Sequence, residues 1–454
     1  MTSRLLRVLL LAGGLALAAC SFGRSLPSAS VSASNSNGVA PAASAPIGKY
    51  IKHVIVIIQE NRSFENFFAG YPGADAPMYG YALKGRRRIQ VPLHAITFHG
   101  PDLRHDWYSA THDWNNWQMD GFDEFGGNPH NGPHPAYAYV HQDLIAPYWT
   151  MAQQYVLADH MFPTEFGGSF TGHLTLIAGT DNLTPVKAEV DFPSALPDDC
   201  DSPPGTHSGV VGLSRKPAYD GPFPCFDQFN TIATTLDAAK VPWKIYAPHK
   251  LDAGMWEPFE AIESTRYGPD WGHSIIAPQT RILRDPAAGK LASVTWVTPS
   301  AKDSDHPHYA SDRGPSWVAS VVNAIGESNY WKTSAIVIVW DDWGGWYDNV
   351  APKQLDFRGL GIRVPCLIVS PYARQGYVSH YRYEFGTILN LIEQAFKLPP
   401  LGPEKDGYTD VRAGGMDKVF DFTKGPRPFV PIKAKYPASA FLNEAPSNDP
   451  VDTQ

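Results

Sequence analysis

Residues 53–68 read HVIVIIQENRSFENFF. The run from Val54 to Ile58 is apolar without alternation, the pattern of a strand covered on both faces rather than one with a wet side. It ends on Glu60, Asn61 and Arg62, three groups that are costly to bury. Either the strand surfaces there, or its end is the floor of an active site. In an open parallel sheet the second reading has a physical basis, because ligand sites gather in the crevice beyond the carboxyl ends of the strands.

Further runs of the same kind lie downstream: VPWKIYA (241–247), ASVTWVT (292–298), SAIVIVW (334–340) and VPCLIVS (364–370). Helical patterns fall between or beside them, at 226–240, 315–328 and 383–398. In the last, Ile388, Leu391, Ile392, Ala395 and Phe396 share one helix face. This alternation predicts an α/β fold with a mostly parallel central sheet and helices on both faces. The segment from about 70 to 150 is rich in His, Trp, Gly and Pro and reads as loops lying over the sheet edge. No internal repeat is visible.

The chain has 454 residues and a net charge of -8, so no basic surface announces nucleic acid. Residues 1–20, MTSRLLRVLLLAGGLALAAC, combine two arginines, an apolar stretch and small residues ending at Cys20. That is an export signal, and its end resembles a lipobox, which predicts a membrane anchor through lipid on Cys20; ordinary cleavage would instead release the protein. A Ser/Ala/Pro tether follows at 21–48, then a catalytic domain at 49–435 and a tail at 436–454. Export implies an oxidising compartment, in which Cys200 and Cys225, flanking a Pro- and Gly-rich loop, are expected to pair. Cys366 sits in an apolar strand and reads as a buried free thiol.

Two strands end on acids: the first on Glu60 with Asn61, the second, at 334–340, on Asp341 and Asp342. Adjacent carboxylates beyond a buried strand repel one another and lose hydration, a cost that a divalent cation offsets. Oxygen donors suit magnesium, calcium or manganese, and a histidine among them brings in zinc or iron. Acids also cap strand ends in ordinary loops, so neither pair alone decides. Between them FPTEFGGSFTGHLTLIAGT (162–180) reads as a loop entering a helix at Ser169, a position suited to a phosphate or an activated hydroxyl, and equally to a plain helix cap.

These stretches together resemble the bacterial and plant phosphoesterase family that holds non-haemolytic-type phospholipases C and acid phosphatases. QENRSFEN, HDWYSATHDWNNWQMDGF (105–122), SFTGHLTLIAGT, WDDWGGWYDNV and RVPCLIVSPYARQGYVSHYRYEFGTILNLIE (363–393) are similar to its motifs and occur in family order. The resemblance implies an alkaline-phosphatase-like fold and a metal-dependent phosphoric ester hydrolase acting on phosphate esters or phospholipids. It implies that Glu60, Asn61, Asp341, Asp342 and Ser169 hold the metal, with Ser169 also the nucleophile. His105, His112, His173 and His306 are implied as phosphate contacts or proton donors, and Asn61 as a further substrate contact. His380 also falls at a family position. Three departures stand out: Asn349 where the family often has histidine, Thr171-Gly172 in place of Pro-Asn, which leaves Ser169 and Thr171 both open as nucleophile, and no second-metal Asp-x-x-x-His pattern near His306. Phospholipase C-type diester cleavage is the leading expectation. Acid phosphatase activity and a non-catalytic lipoprotein that binds phosphorylated ligands are the alternatives.

Overall fold

The computed structural model describes residues 47–98, 100–125, 132–251, 253–309 and 311–444. Eight strands form the main sheet: β1 (His53–Gln59), β2 (Val156–Ala158), β3 (Trp243–Tyr246), β4 (Ile275–Ile276), β5 (Val294–Val297), β6 (Ser334–Trp340), β7 (Cys366–Val369) and β8 (Tyr377–Ser379). Their order is β4-β3-β5-β1-β6-β7-β2-β8. The apolar run at 53–59 is the middle of this sheet, parallel to β5 on one side and to β6 on the other, with Ile57 opposite both Val297 and Ile338. Every residue from Val54 to Gln59 is buried, so both faces are covered.

β7 runs against β6 and β2, while the remaining pairs are parallel. Because two reversals cancel, β2 and β8 point the same way as β1 and β6. The residues that follow these four strands, Glu60, Asp159, Asp341 and His380, therefore lie along one edge of the sheet. All five strands expected from the sequence are present. β2, β4 and β8 have two or three residues each and are too short to leave a periodic signal.

The helices with roles below are α1 (Phe64–Phe68), α2 (Trp107–Trp114), α3 (Ala146–Gln154), α4 (Ser169–Ala178), α5 (Ile232–Ala238), α6 (Gly314–Gly326) and α7 (Phe385–Phe396). One group packs α3 on α6, the other α4 on α5 and α7. In α7, Ile388, Leu391 and Ile392 are fully buried as the pattern required, a Glu384–Thr387 capping box starts the helix, and Lys397 in a left-handed conformation ends it.

The segment 70–150 departs from the loop expectation. It contains a hairpin pairing Tyr79–Lys84 with Arg87–Pro92, a short ladder pairing His94–Ile96 with Ala138–Val140, and α2. Its aromatics supply a second core in which Trp107, Phe122 and Tyr137 meet Trp343, Trp346 and Tyr347. Contacts of that kind come from distant parts of the chain and follow neither a two- nor a 3.6-residue period.

Cys200 and Cys225 are joined as a disulfide, and Cys366 is a buried thiol whose pKa burial pushes up. The packed body runs past 435: Phe441 is fully buried, and Lys302 and Arg313 both pair with Glu444. The expected leader and lipobox at 1–20, and the tether up to residue 46, lie outside the described residues. Among the described residues no helix is long and apolar enough to cross a membrane.

Candidate active site

The carboxyl ends of β1 and β6 converge. Because the strands are paired through Gln59 opposite Trp340, the residues just beyond them meet: the Asn61 amide donates to Asp341 Oδ1 (3.0 Å), as does the Asp342 amide (2.8 Å). Asn61 takes φ 57°, one of the few side chains that tolerates the left-handed region, and this turns the chain from β1 toward α1. Gly344 adopts φ +62° directly above it, where a Cβ would lie 2.1 Å from the Asn61 carbonyl oxygen. The Gly344 amide donates to Asp342 Oδ1 (2.7 Å), fixing the second acid.

Helix α4 brings the third component. Gly168 is its cap and Ser169 its first residue, so Ser169 does not spend its hydroxyl on capping. It donates instead to Asp342 Oδ2 at 2.9 Å, and its Oγ lies 3.5 Å from Asn61 Oδ1. Thr171, the other candidate, faces away: its hydroxyl donates to Glu165, with the Gly168 carbonyl (3.1 Å) as the other acceptor in reach. One turn further on, His173 Nε2 lies 2.9 Å from Glu60 Oε1 and 3.6 Å from Asp341 Oδ2. His173 thus stands among the acids, beside Glu60 and Asp341.

Glu60, His173 and Asp341 each present one ligand-type atom within 4.8 Å of the others, and all three are buried. Burial first, and then the Glu60 and Asp342 charges, hold the Asp341 carboxyl well above its usual range. Burial likewise raises Asp342 and lowers His173. Buried carboxylates that repel one another and lose hydration, with one neutral imidazole among them, are a donor set that fits a divalent cation. The nitrogen donor favours manganese, zinc or iron over an all-oxygen ion.

His105 and His306 stand on the other side of Asn61. The Leu103 carbonyl accepts from His105 Nδ1 (2.6 Å), which leaves the lone pair on Nε2, 2.7 Å from Asn61 Nδ2. His306 Nδ1 accepts from the His308 amide (3.0 Å), which puts the proton of the neutral ring on Nε2, 3.0 Å from the same Asn61 nitrogen. Both imidazoles thus gather on the Asn61 amide, whose Oδ1 lies 3.5 Å from Ser169 Oγ.

Arg62 is held by a partner far away in the sequence. Its Nε donates to the Asp305 carbonyl (2.8 Å) and Nη1 to Asn66 Oδ1 (3.2 Å), while the guanidinium lies 5.3–5.5 Å from the ring centroids of Phe67, Phe98 and Trp346. Burial lowers its pKa to about 10. Asp305, raised by burial to about 7, accepts from Tyr148 (2.7 Å) and Trp340 (3.1 Å), and its amide donates to Gln59 Oε1 (2.9 Å). Arg62, Gln59, Tyr148 and Trp340 thus position the loop that presents His306. Of these, only Arg62 drew attention in the sequence, and its partner is 243 residues away.

Several expected residues stand elsewhere. His112 is partly exposed on α2, bonded to Glu124 (2.8 Å) and packed against Tyr108 and Phe125; none of these partners belongs to the cluster. Trp343, Trp346 and Tyr347 are buried, with Trp343 donating to Asp113 (3.1 Å) and Tyr347 stacked on Tyr137, and they build the second core. His380 and His160 bond to opposite oxygens of Asp159, each at 2.8 Å. Asn349 bonds to Asp75 (2.9 Å) and accepts from Arg363 (2.6 Å), which also pairs with buried Asp348. Its exchange for histidine therefore falls outside the Ser169 cluster.

Gly172 sets how closely α4 approaches β6: a Cβ there would lie 2.7 Å from the Asp341 carbonyl oxygen. Gly172→Ala is expected to keep the fold but push Ser169 and His173 away from the acids, lowering kcat/KM about 100-fold. Turnover measured beside a thermal melt checks this.

The chain belongs to the phosphoesterase family, whose sequence profile matches residues 51–399. It is a phosphoric ester hydrolase. Phospholipase C B of Mycobacterium tuberculosis is 24% identical over 443 residues, covering 84% of this chain and 80% of its own. A non-hemolytic phospholipase C of Pseudomonas aeruginosa is 24% identical over 430 residues, covering 82% of this chain and 58% of its own. Among solved structures, an alkaline phosphatase superfamily protein from Vibrio parahaemolyticus overlays 79% of this chain and 72% of its own, with 11% identity and a TM-score of 0.37.

Proposed function

We propose that this protein is an exported, metal-dependent phospholipase C-type phosphodiesterase that works through a seryl intermediate on Ser169. The observation that carries the reading is the Ser169 hydroxyl, held at 2.9 Å by Asp342 among the buried acids. The similarity to phospholipases C over four fifths of the chain supports a phospholipid diester as substrate.

Glu60, Asn61, Asp341, Asp342 and His173 would hold the divalent ion, with Ser169 beside it. When bound, such an ion neutralises the acids and withdraws charge from the phosphate, lowering the cost of a serine alkoxide. Asp342 orients the Ser169 hydroxyl and accepts its proton, and Oγ attacks phosphorus in line with the departing alcohol. Asn61 Nδ2 and His306 Nε2 hold the non-bridging oxygens. The P–O bond to the alcohol breaks, His306 supplies the proton that the alcohol needs, and water then cleaves the phosphoseryl ester. Export and a lipid anchor on Cys20 complete the reading, and the mass of the mature N-terminus checks them.

The test is turnover of p-nitrophenyl phosphorylcholine against p-nitrophenyl phosphate by metal-replete protein. Diester hydrolysis at least tenfold faster in kcat/KM is the expected result. A preference for the monoester would instead make it an acid phosphatase.

A further inference from the structure

The hairpin that pairs Tyr79–Lys84 with Arg87–Pro92 has two unlike faces. Its sequence, YGYALKGRRRIQVP (79–92), alternates between them: the ladder pairs Gly80 with Val91 and Ala82 with Ile89 on one face, and Tyr81 with Gln90 and Leu83 with Arg88 on the other. The first face packs inward. Gly80, Ala82 and Val91 are buried, a Cβ on Gly80 would lie 2.4 Å from the Tyr347 ring, and the Tyr137 hydroxyl donates to the Tyr81 carbonyl (2.7 Å). The hairpin is thereby seated on the loop that begins with Asp341 and Asp342.

The second face is open and mixes apolar with basic groups. Tyr79 and Leu83 are exposed, and so is Trp117, on a turn in which Asn115, Asn116, Trp117 and Met119 all take positive φ, an uncommon backbone for a bulky side chain. Arg88 ties this turn to the hairpin: its guanidinium lies 3.8 Å from the Tyr81 ring centroid, donates to the Gln118 carbonyl (3.0 Å) and pairs with Asp120 (3.3 Å). The tip carries Lys84, Arg86 and Arg87, all exposed, and among the described residues no acid pairs with any of them. In a chain of net charge -8 this tip is a local reversal of sign. Cations beside exposed aromatic and aliphatic side chains match a surface that is anionic outside and apolar just beneath, which describes an anionic lipid leaflet; a soluble polyanion offers the charge without the hydrocarbon.

We propose that this hairpin tip, with Trp117 beside it, docks the protein on membranes that contain anionic phospholipid. The proposal rests on the phospholipase C-type reading above and deepens it, since a phospholipid substrate is met in a surface. Lys84, Arg86 and Arg87 lie against the headgroup phosphates, and Tyr79, Leu83 and Trp117 enter the interface. Through Tyr347, the docked hairpin keeps the loop of Asp341 and Asp342 with the lipid.

The experiment uses the chain from residue 21 onward, exported behind an ordinary cleavable leader, which keeps every described residue and carries no acyl group that would hold lipid by itself. Flotation measures its binding to vesicles of phosphatidylcholine alone and of phosphatidylcholine mixed with phosphatidylglycerol. Binding to the mixed vesicles is expected to be about tenfold tighter at low salt, and to weaken as salt rises. Arg86→Glu combined with Arg87→Glu is expected to remove that preference, and Trp117→Ala to weaken binding several-fold at every salt concentration. Both variants keep the melting temperature and the turnover of p-nitrophenyl phosphorylcholine, because these residues lie outside the Ser169 cluster. No preference for the anionic vesicles, a preference kept in the double variant, or binding to heparin but to neither vesicle overturns the docking surface. A wild-type chain that prefers the anionic vesicles yet leaves the soluble diester uncleaved supports the docking and removes the phospholipase reading instead.

Discussion

Ser169→Ala is expected to lower kcat by about four orders of magnitude or more while leaving KM within a few-fold. The loss is large because Thr171, the other candidate hydroxyl, is turned to Glu165 and the Gly168 carbonyl. Removing a serine nucleophile from a preorganised site typically costs a factor of that size, since the groups around it act as a unit. KM is expected to hold because Asn61, His105 and His306, the proposed phosphate contacts, are untouched. The fold survives too, as the lost bond to Asp342 is worth about 2 kcal/mol. Thr171→Val, by contrast, is expected to keep activity within about tenfold. Stopped assays on the two variants separate the candidates, and near-normal turnover in Ser169→Ala would remove Ser169 from the mechanism.

Asp341→Asn carries the second large effect, and its sign reverses with the metal. In metal-replete protein the substitution removes a ligand charge, and activity is expected to fall about a thousandfold at limiting metal, with partial recovery when manganese or zinc is in excess. In chelated protein the same change is expected to stabilise the fold by about 1–2 kcal/mol, because Asp341 is a buried carboxylate pushed up by desolvation and by the charges of Glu60 and Asp342. A carboxyl whose folded pKa is raised binds its proton more tightly in the folded state. Chelated wild-type protein therefore loses stability as pH rises above the usual carboxylate range, and Asp341→Asn flattens that dependence. Denaturant melts across pH, with and without metal, read both signs.

Much of this arrangement was legible in the sequence because its signals are local. β1 and β6 are unbroken apolar runs, and each is followed at once by its acids, so the pairing of Glu60 and Asn61 with Asp341 and Asp342 needed only the inference that the strands lie side by side. Ser169 was visible as a small-residue entry to a helix. What stayed hidden depends on distant partners. His112 and His105 lie on one short stretch, yet the Asp106-capped start of α2 sends His112 toward Glu124 while His105 turns back to Leu103 and Asn61. The role of His173 depends on where helix α4 docks, which Gly172 sets and no periodicity records. Arg62 could be read as unusual, but its work in holding the His306 loop appears only when Asp305 and Tyr148 are seen beside it.

The central claim is a phosphoryl group carried on Ser169, and acid quenching of metal-replete protein during turnover of p-nitrophenyl phosphorylcholine, followed by peptide mass analysis, tests it most directly. The account predicts a phosphorylcholine adduct on the peptide spanning 162–180, localised to Ser169 and absent from Ser169→Ala. An adduct on Thr171, or full turnover in Ser169→Ala with no adduct at any time point, would contradict it.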